Sequence, residues 1–180
     1  MRIGVKDTIL VALFAALTAA GAFVKVPVGP APISLQFFFT ALAGILLGPY
    51  LGLLSQLVYV LVGLLGVPVF TAGGGPSYVV HPTFGYLLGF IGASFIIGKI
   101  ARSVPEPSLL RLVAGCVAGL LMIYALGVPY MFLVLKYVAR TPMTFTKALL
   151  SGFLVFVPGD LAKSIIAAYV GVRLIPQIKL

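Results

Sequence analysis

The sequence predicts an all-α, polytopic membrane protein: a six-transmembrane-helix bundle with structured Gly/Pro-rich outer loops. Three observations carry this expectation. Hydrophobic residues make up 62% of the 180-residue chain and charged residues only 8%. Soluble domains carry roughly 25% charged residues, so a water-facing surface cannot be assembled here. Not one Asp, Glu, Lys or Arg occurs from Val26 to Gly98, and mean hydropathy is +1.23. The apolar segments are apolar on every side, whereas β-barrel strands alternate apolar with polar residues. The same composition excludes a soluble enzyme domain, disorder and nucleic-acid binding through a basic patch. With a single cysteine, Cys116, no intrachain disulfide can form. Residues 1–180 read as one membrane-embedded domain.

A transmembrane helix needs about 20 apolar residues to cross the hydrocarbon. The candidate spans are Thr8–Val24, Ile33–Leu47, Tyr50–Leu65, Thr83–Gly98, Leu109–Leu135 and a last one ending near Val172. Several are short of that length, which predicts an irregular bundle with tilted ends. The first span carries Ala12, Ala16 and Ala20 on one face, with Ala15 and Ala19 beside it. Small residues at this interval let helices approach closely, either inside the bundle or against another membrane protein. Arg2 and Lys6 ahead of apolar residues, with Ala20-Gly21-Ala22 beyond, resemble a signal peptide. The membrane-embedded character of everything downstream favours a retained first helix. Gly127 and Pro129 within the fifth run predict a kink, which neighbouring helices can tolerate.

Two connections hold more glycine and proline than a turn requires. Val26-Pro27-Val28-Gly29-Pro30-Ala31-Pro32 leads into Ile33-Ser34-Leu35-Gln36, and its three prolines prevent a helix. Gly66-Val67-Pro68-Val69-Phe70 continues to Gly73-Gly74-Gly75-Pro76-Ser77-Tyr78, where triple glycine opens conformations closed to other residues. Neither connection bears a charge, which suits a flap over an apolar cavity better than a solvated tether. His81 stands just before the fourth span, as a cap for that helix or a ligand contact. Gln36, Tyr78 and Tyr86 lie at the mouths of the same loops, as polar wall groups or interfacial anchors.

Six spans put Arg2, Lys6, Lys99, Arg102, Arg111, Arg173 and Lys179 on one side. Lys25, Lys136, Arg140 and Lys147 fall on the other, and Lys163 inside the bundle. The bias places both termini in the cytoplasm and the two Gly/Pro connections outside; an odd number of spans is the alternative.

Asp160 is the acidic residue that matters. Asp7 lies beside the N-terminus and Glu106 in a Pro-Glu-Pro loop, so both reach water, whereas Ala148–Val172 is apolar apart from Asp160, Lys163 and a few small polar residues. A charge at the bilayer centre costs at least about 2.5–3.5 kcal/mol, which makes such a residue a functional hypothesis by default. Pro158-Gly159 interrupts any continuous helix, and a helix starting near Asp160 would carry its carboxylate where the dipole favours it. Asp160 and Lys163 are three residues apart, hence on one face of that helix. A capped helix with a snorkelling lysine, or a buried pair that fixes packing, would use the same residues. A pair facing the two loops would hold a polar ligand that has both donors and acceptors. One histidine, one cysteine and no second nearby carboxylate argue against a metal site, and no cofactor is expected.

At these positions the chain resembles a known family, BioY, the biotin-specific substrate-binding (S) component of energy-coupling-factor (ECF) vitamin transporters. The resemblance lies in Pro30-Ala31-Pro32-Ile33-Ser34-Leu35-Gln36, and in Gly66-Val67-Pro68-Val69-Phe70 through the triple glycine to Pro82-Thr83-Phe84-Gly85-Tyr86-Leu87-Leu88-Gly89-Phe90. It continues in Val157-Pro158-Gly159-Asp160-Leu161-Ala162-Lys163. It covers essentially the whole chain, with a departure at His81 where many relatives have glycine. It implies a six-helix bundle in the cell membrane that binds biotin at its outer face. It also implies a transmembrane coupling protein and two ATPase subunits as partners. Ala12, Ala16 and Ala20 then match the small-residue motif by which S components dock on the coupling protein. The ligand-binding residues expected on this basis are Asp160, Lys163, Gln36, Phe70, Gly74, Gly75, Tyr78 and Tyr86, with Phe37 and Phe84 as further apolar walls.

Two other classes compete. A stand-alone transporter or channel would line a path through the bundle with polar residues, yet the inner half of each span is almost wholly apolar. An enzyme would need a nucleophile–base pair or clustered ligands, and the sequence offers neither. It also lacks the Gly-rich Lys-Ser/Thr loop of an ATPase.

Overall fold

Proline and glycine set the ends of the helices. In the computed structural model, which describes residues 4–177, α1 (Val5–Phe23) runs through Ala20-Gly21-Ala22 and gives way to the proline-rich connection. That connection folds into a small antiparallel hairpin, β1 (Lys25–Val26) against β2 (Ile33–Ser34), an element absent from the all-helical expectation. Three prolines forbid a helix, and the ladder satisfies backbone groups that a helix would otherwise pair. Next come α2 (Gln36–Leu47) and α3 (Pro49–Leu64), joined through Gly48 alone, whose φ of 82° is open to glycine. Pro49 then starts α3 at a position where its missing N–H costs no helical bond.

A short 3₁₀ turn at Pro76–Val80 precedes α4 (Phe84–Ala101). Helix α5 (Leu109–Leu133) passes through Gly127-Val128-Pro129 without ending and closes in a π turn over Val134–Val138. The last helical run comprises α6 (Phe145–Leu149), a π turn at Leu150–Leu154 and α7 (Val157–Leu174). The expected interruption at Pro158-Gly159 is thus displaced. Pro158 lies in the first turn of α7, where proline fits, and the change of helical register lies upstream in the π turn.

Among the described residues six helical units therefore build the bundle, and four of them are long and apolar enough to span: α1, α4, and the runs Leu109–Val138 and Phe145–Gln177. At 1.5 Å per residue α2 is about 18 Å long, well short of the roughly 30 Å hydrocarbon core. Its brevity leaves the rest of its column to the hairpin and the second Gly/Pro connection. Alternation of the six units puts both of those connections at one end of the bundle, with the α4–α5 connection and the end of α7 at the other. Of the basic residues counted for orientation, Arg2 and Lys179 lie outside the described residues.

Helix α1 turns Val11, Phe14, Ala15 and Thr18 inward and leaves Ala12, Ala16 and Ala20 exposed. Its polar anchor in the core is Thr18, whose hydroxyl accepts from Gln56 Nε2 at 3.1 Å. The Gln56 Oε1 in turn accepts from Thr40 at 3.0 Å, so one fully buried cluster ties α1, α2 and α3. Where water is excluded, such bonds specify which helix faces meet. Helix α4 packs on α2 at glycine: a Cβ at Gly98 would come within 2.5 Å of the Gly48 carbonyl carbon and the Pro49 nitrogen. Those are backbone atoms of the α2–α3 turn and cannot swing aside. Gly98→Ala should therefore lower the apparent melting temperature in detergent by about 5 °C or more, as expected for overpacking of 1–3 kcal/mol. Gly159→Ala, where a Cβ meets nothing within 4 Å, should change it by less than about 2 °C.

Candidate ligand-binding site

The starts of α2, α4 and α7 and the middle of α5 converge on a cavity. Leu87, Phe90, Leu120, Ile123 and Phe156 give it apolar walls, Phe37 closes one side, and the two Gly/Pro connections roof it with Ala31, Pro32 and Thr71. Into this lining project Asp160 and Lys163, at 6% and 9% exposure. The first two turns of α7 present both on one face, and their side chains form an ion pair. Lys163 Nζ also donates to the Ser34 carbonyl of β2 at 2.9 Å. The other carboxylate oxygen, Asp160 Oδ2, accepts from the Tyr124 hydroxyl on α5. Breaking a buried pair by removing one partner costs far more than the pair contributes, so these supports hold the charges in place.

From Ser34 the polar chain continues. Ser34 Oγ donates to Gln36 Oε1 at 2.9 Å, Gln36 Nε2 donates to the Tyr59 hydroxyl at 2.7 Å, and Tyr59 donates to the Val69 carbonyl at 3.0 Å. One run of bonds thus links the α7 charges to both flaps. Tyr86 lines the cavity and donates to the Gly152 carbonyl in the π turn at 2.9 Å. Its ring has room because Gly127 and Gly152 carry no side chain: a Cβ at either would come within 2.4 to 2.5 Å of it.

Of the expected ligand residues, Asp160, Lys163, Gln36 and Tyr86 line this cavity together, with Phe37. Phe70 does not. It is 2% exposed and wedged between Tyr59 and Tyr78, with ring centroids 5.4 and 4.6 Å away, behind the wall. Phe84 packs on Tyr130, also off the lining. Gly74 and Tyr78 border a separate shallow groove on the outer surface, and Gly75 shapes the turn above it with φ 103°. The glycines are structural: Gly73 and Gly75 have positive φ, and a Cβ on Gly74 would strike the Val67 carbonyl oxygen at 2.2 Å. Tyr78 supports the rim through its hydroxyl, 2.8 Å from Thr83 Oγ1 and 3.3 Å from Thr71 Oγ1. Sequence reasoning missed Tyr124, Ser34, Thr71 and Thr83 as cavity groups. A tyrosine deep in an apolar run was the available signal for Tyr124, since a buried hydroxyl must find a partner.

Besides the Tyr59–Val69 bond, the second flap is fastened by Lys25 of β1 donating to the Thr71 carbonyl and by Tyr130 of α5 donating to the Val79 carbonyl. Between them His81 stacks on Tyr78 with ring centroids 4.5 Å apart, and its Nδ1 accepts the Thr83 N–H at 3.3 Å.

Comparison with known proteins agrees with this architecture. The profile described as the BioY family matches residues 1–179. The chain belongs to the BioY family. Among its relatives, a probable biotin transporter BioY of Lysinibacillus sphaericus is 42% identical, covering 92% of this chain and 85% of the relative. The biotin transporter BioY of Thermotoga maritima is 41% identical, over 94% and 95% of the two chains. A 2.1 Å crystal structure of the S-component for biotin from an ECF-type ABC transporter superposes with a TM-score of 0.73 at 29% identity, covering 97% of this chain and 93% of that one. BioY membership makes this a multi-pass transporter protein rather than an enzyme.

The rim carries a testable pH dependence. Burial lowers the His81 pKa below its ordinary value of 6.5, and the bond from the Thr83 N–H requires a neutral ring. Below about pH 6.5 the unfolded chain takes up a proton that the folded one resists, so this contribution to stability is lost as pH falls. Between pH 7.5 and 5.5 the apparent melting temperature in detergent should drop more for the wild type than for His81→Asn. Equal drops would remove His81 as the cause.

Proposed function

We propose that this protein captures biotin at its outer face as the S component of an ECF-type importer and delivers it inward with a transmembrane coupling protein and two ATPase subunits. The observation that carries the reading is the buried Asp160–Lys163 pair, braced by Tyr124 and Ser34 and opening into a largely apolar cavity. Small-molecule sites are mostly apolar with a few fixed polar groups. Biotin matches this division. Its ureido group offers N–H donors to Asp160 and an oxygen to Lys163, while the thiophane ring and tail suit Phe37, Phe90 and Phe156. Hydrogen bonds to charged groups contribute about 1.5–3 kcal/mol each, which selects against apolar competitors.

In this reading Gln36 and Tyr86 complete the polar lining, and Phe70, Gly74, Gly75 and Tyr78 shape the flap from behind. Both termini face the cytoplasm, with Lys99, Arg102, Arg111 and Arg173 on that side, so the cavity opens outward. The exposed stripe of Ala12, Ala16 and Ala20 is the surface that meets the coupling protein. A stand-alone transporter or channel is the competing class, and uptake into vesicles that lack any ATPase partner would reveal it.

Asp160→Asn should weaken biotin binding at least tenfold in titrations of the purified protein. Affinity unchanged within threefold would remove Asp160 from the site. Ala16→Leu should leave biotin affinity within twofold of wild type but abolish co-purification with the coupling protein. Intact co-purification would place the docking surface elsewhere.

A further inference from the structure

Biotin has two polar ends, and the charges around the cavity are unevenly arranged to receive them. Asp160 and Lys163 already neutralise each other. A ligand carboxylate brought to Lys163 would sit beside the negative charge of Asp160, in surroundings that screen the repulsion poorly. The uncharged ureido group meets no such opposition, since it can donate to one partner and accept from the other. Farther in, the lining is apolar. Phe90 lies seven residues, about 10 Å, along α4 from Thr83 at the rim, and Leu120 and Ile123 face the same space. A carboxylate finds no donor there. The remaining direction is outward, beneath the flaps.

Beside that rim, one contact away from the lining, stands Lys25. It is exposed at the start of β1, and its ammonium donates to the carbonyl of Thr71, a residue that lines the cavity. It forms no ion pair among the described residues. An ammonium has three N–H donors, and this contact uses one. We propose that Lys25 is the specificity-determining residue for the ligand's carboxylate, meeting it under the flaps while Asp160 and Lys163 hold the ureido end. This deepens the biotin reading and rests on it: it assigns which end of the molecule goes where. Because the same ammonium joins the hairpin to the second flap, a carboxylate bound to Lys25 also sits where the two flaps meet.

The test uses the full-length protein in detergent, titrated with biotin and with biotinamide, whose terminal amide is uncharged. The wild type should bind biotin more tightly than biotinamide. Lys25→Met should weaken biotin at least fivefold and biotinamide less than twofold, collapsing the preference, while Lys25→Arg should restore it. Equal losses for both ligands would make Lys25 a flap fastener only, and unchanged biotin affinity would put the carboxylate elsewhere; either result overturns the assignment. A wild type that binds neither ligand overturns the functional reading itself, an outcome distinct from both.

Discussion

A carboxylate and an ammonium held inside a membrane protein constrain everything around them. Neither Asp160 nor Lys163 can be left alone in such surroundings, because an uncompensated buried charge costs several kcal/mol. The solution is shared between four parts of the chain. The start of α7 puts the two side chains on one face, α5 supplies the Tyr124 hydroxyl, and β2 supplies the Ser34 carbonyl. The cavity leaves their remaining bonding capacity for a guest. The π turn at Leu150–Leu154 sets the register of that helix start, and Tyr86 caps one of its carbonyls.

The flaps follow from the same constraint. A polar site in a membrane has to be reached from water and then closed off from it. The two Gly/Pro connections do this without charged side chains of their own beyond Lys25, and they bring their backbone polarity inside a network. Val69, Thr71 and Val79 each accept a bond through the main-chain carbonyl from a side chain of another element. Non-helical backbone at this depth persists only where protein or a lined cavity satisfies it. Shortening α2 and joining it to α3 at a single glycine makes the room. The close Gly98 contact on the opposite side keeps that turn pressed against α4.

These features separate the cavity from the part of the bundle that only packs. Away from the cavity, glycine packs against backbone at Gly98, and Thr18, Gln56 and Thr40 form a sealed polar cluster. An S component of a larger transporter fits that division: it holds its cargo at one face and leaves movement across the membrane to its partners. The exposed alanine stripe on α1 lies apart from the cavity.

The sequence by itself determined the solvent, the helical class and the charged pair. Composition alone forbids a water-facing surface, and an intramembrane Asp three residues from a Lys announces its own importance by what it would cost unused. It also placed the breaks after α1 and α3, where proline and glycine act locally, but not the continuation of α5 through Pro129 or the register change upstream of Pro158. Which residues share the cavity was decided only by the tertiary structure. Phe70 and Tyr78 belong to the same motif as Thr71, yet the positive φ angles of Gly73 and Gly75 turn Phe70 into the core, turn Tyr78 toward the rim from behind, and leave Thr71 on the lining. Tyr124 and Asp160 are 36 residues apart in the chain and meet only because α5 and α7 pack side by side. Periodicity reports which face of a helix is apolar. When a helix is apolar all round, as these are, only packing against its neighbours selects the face that looks inward.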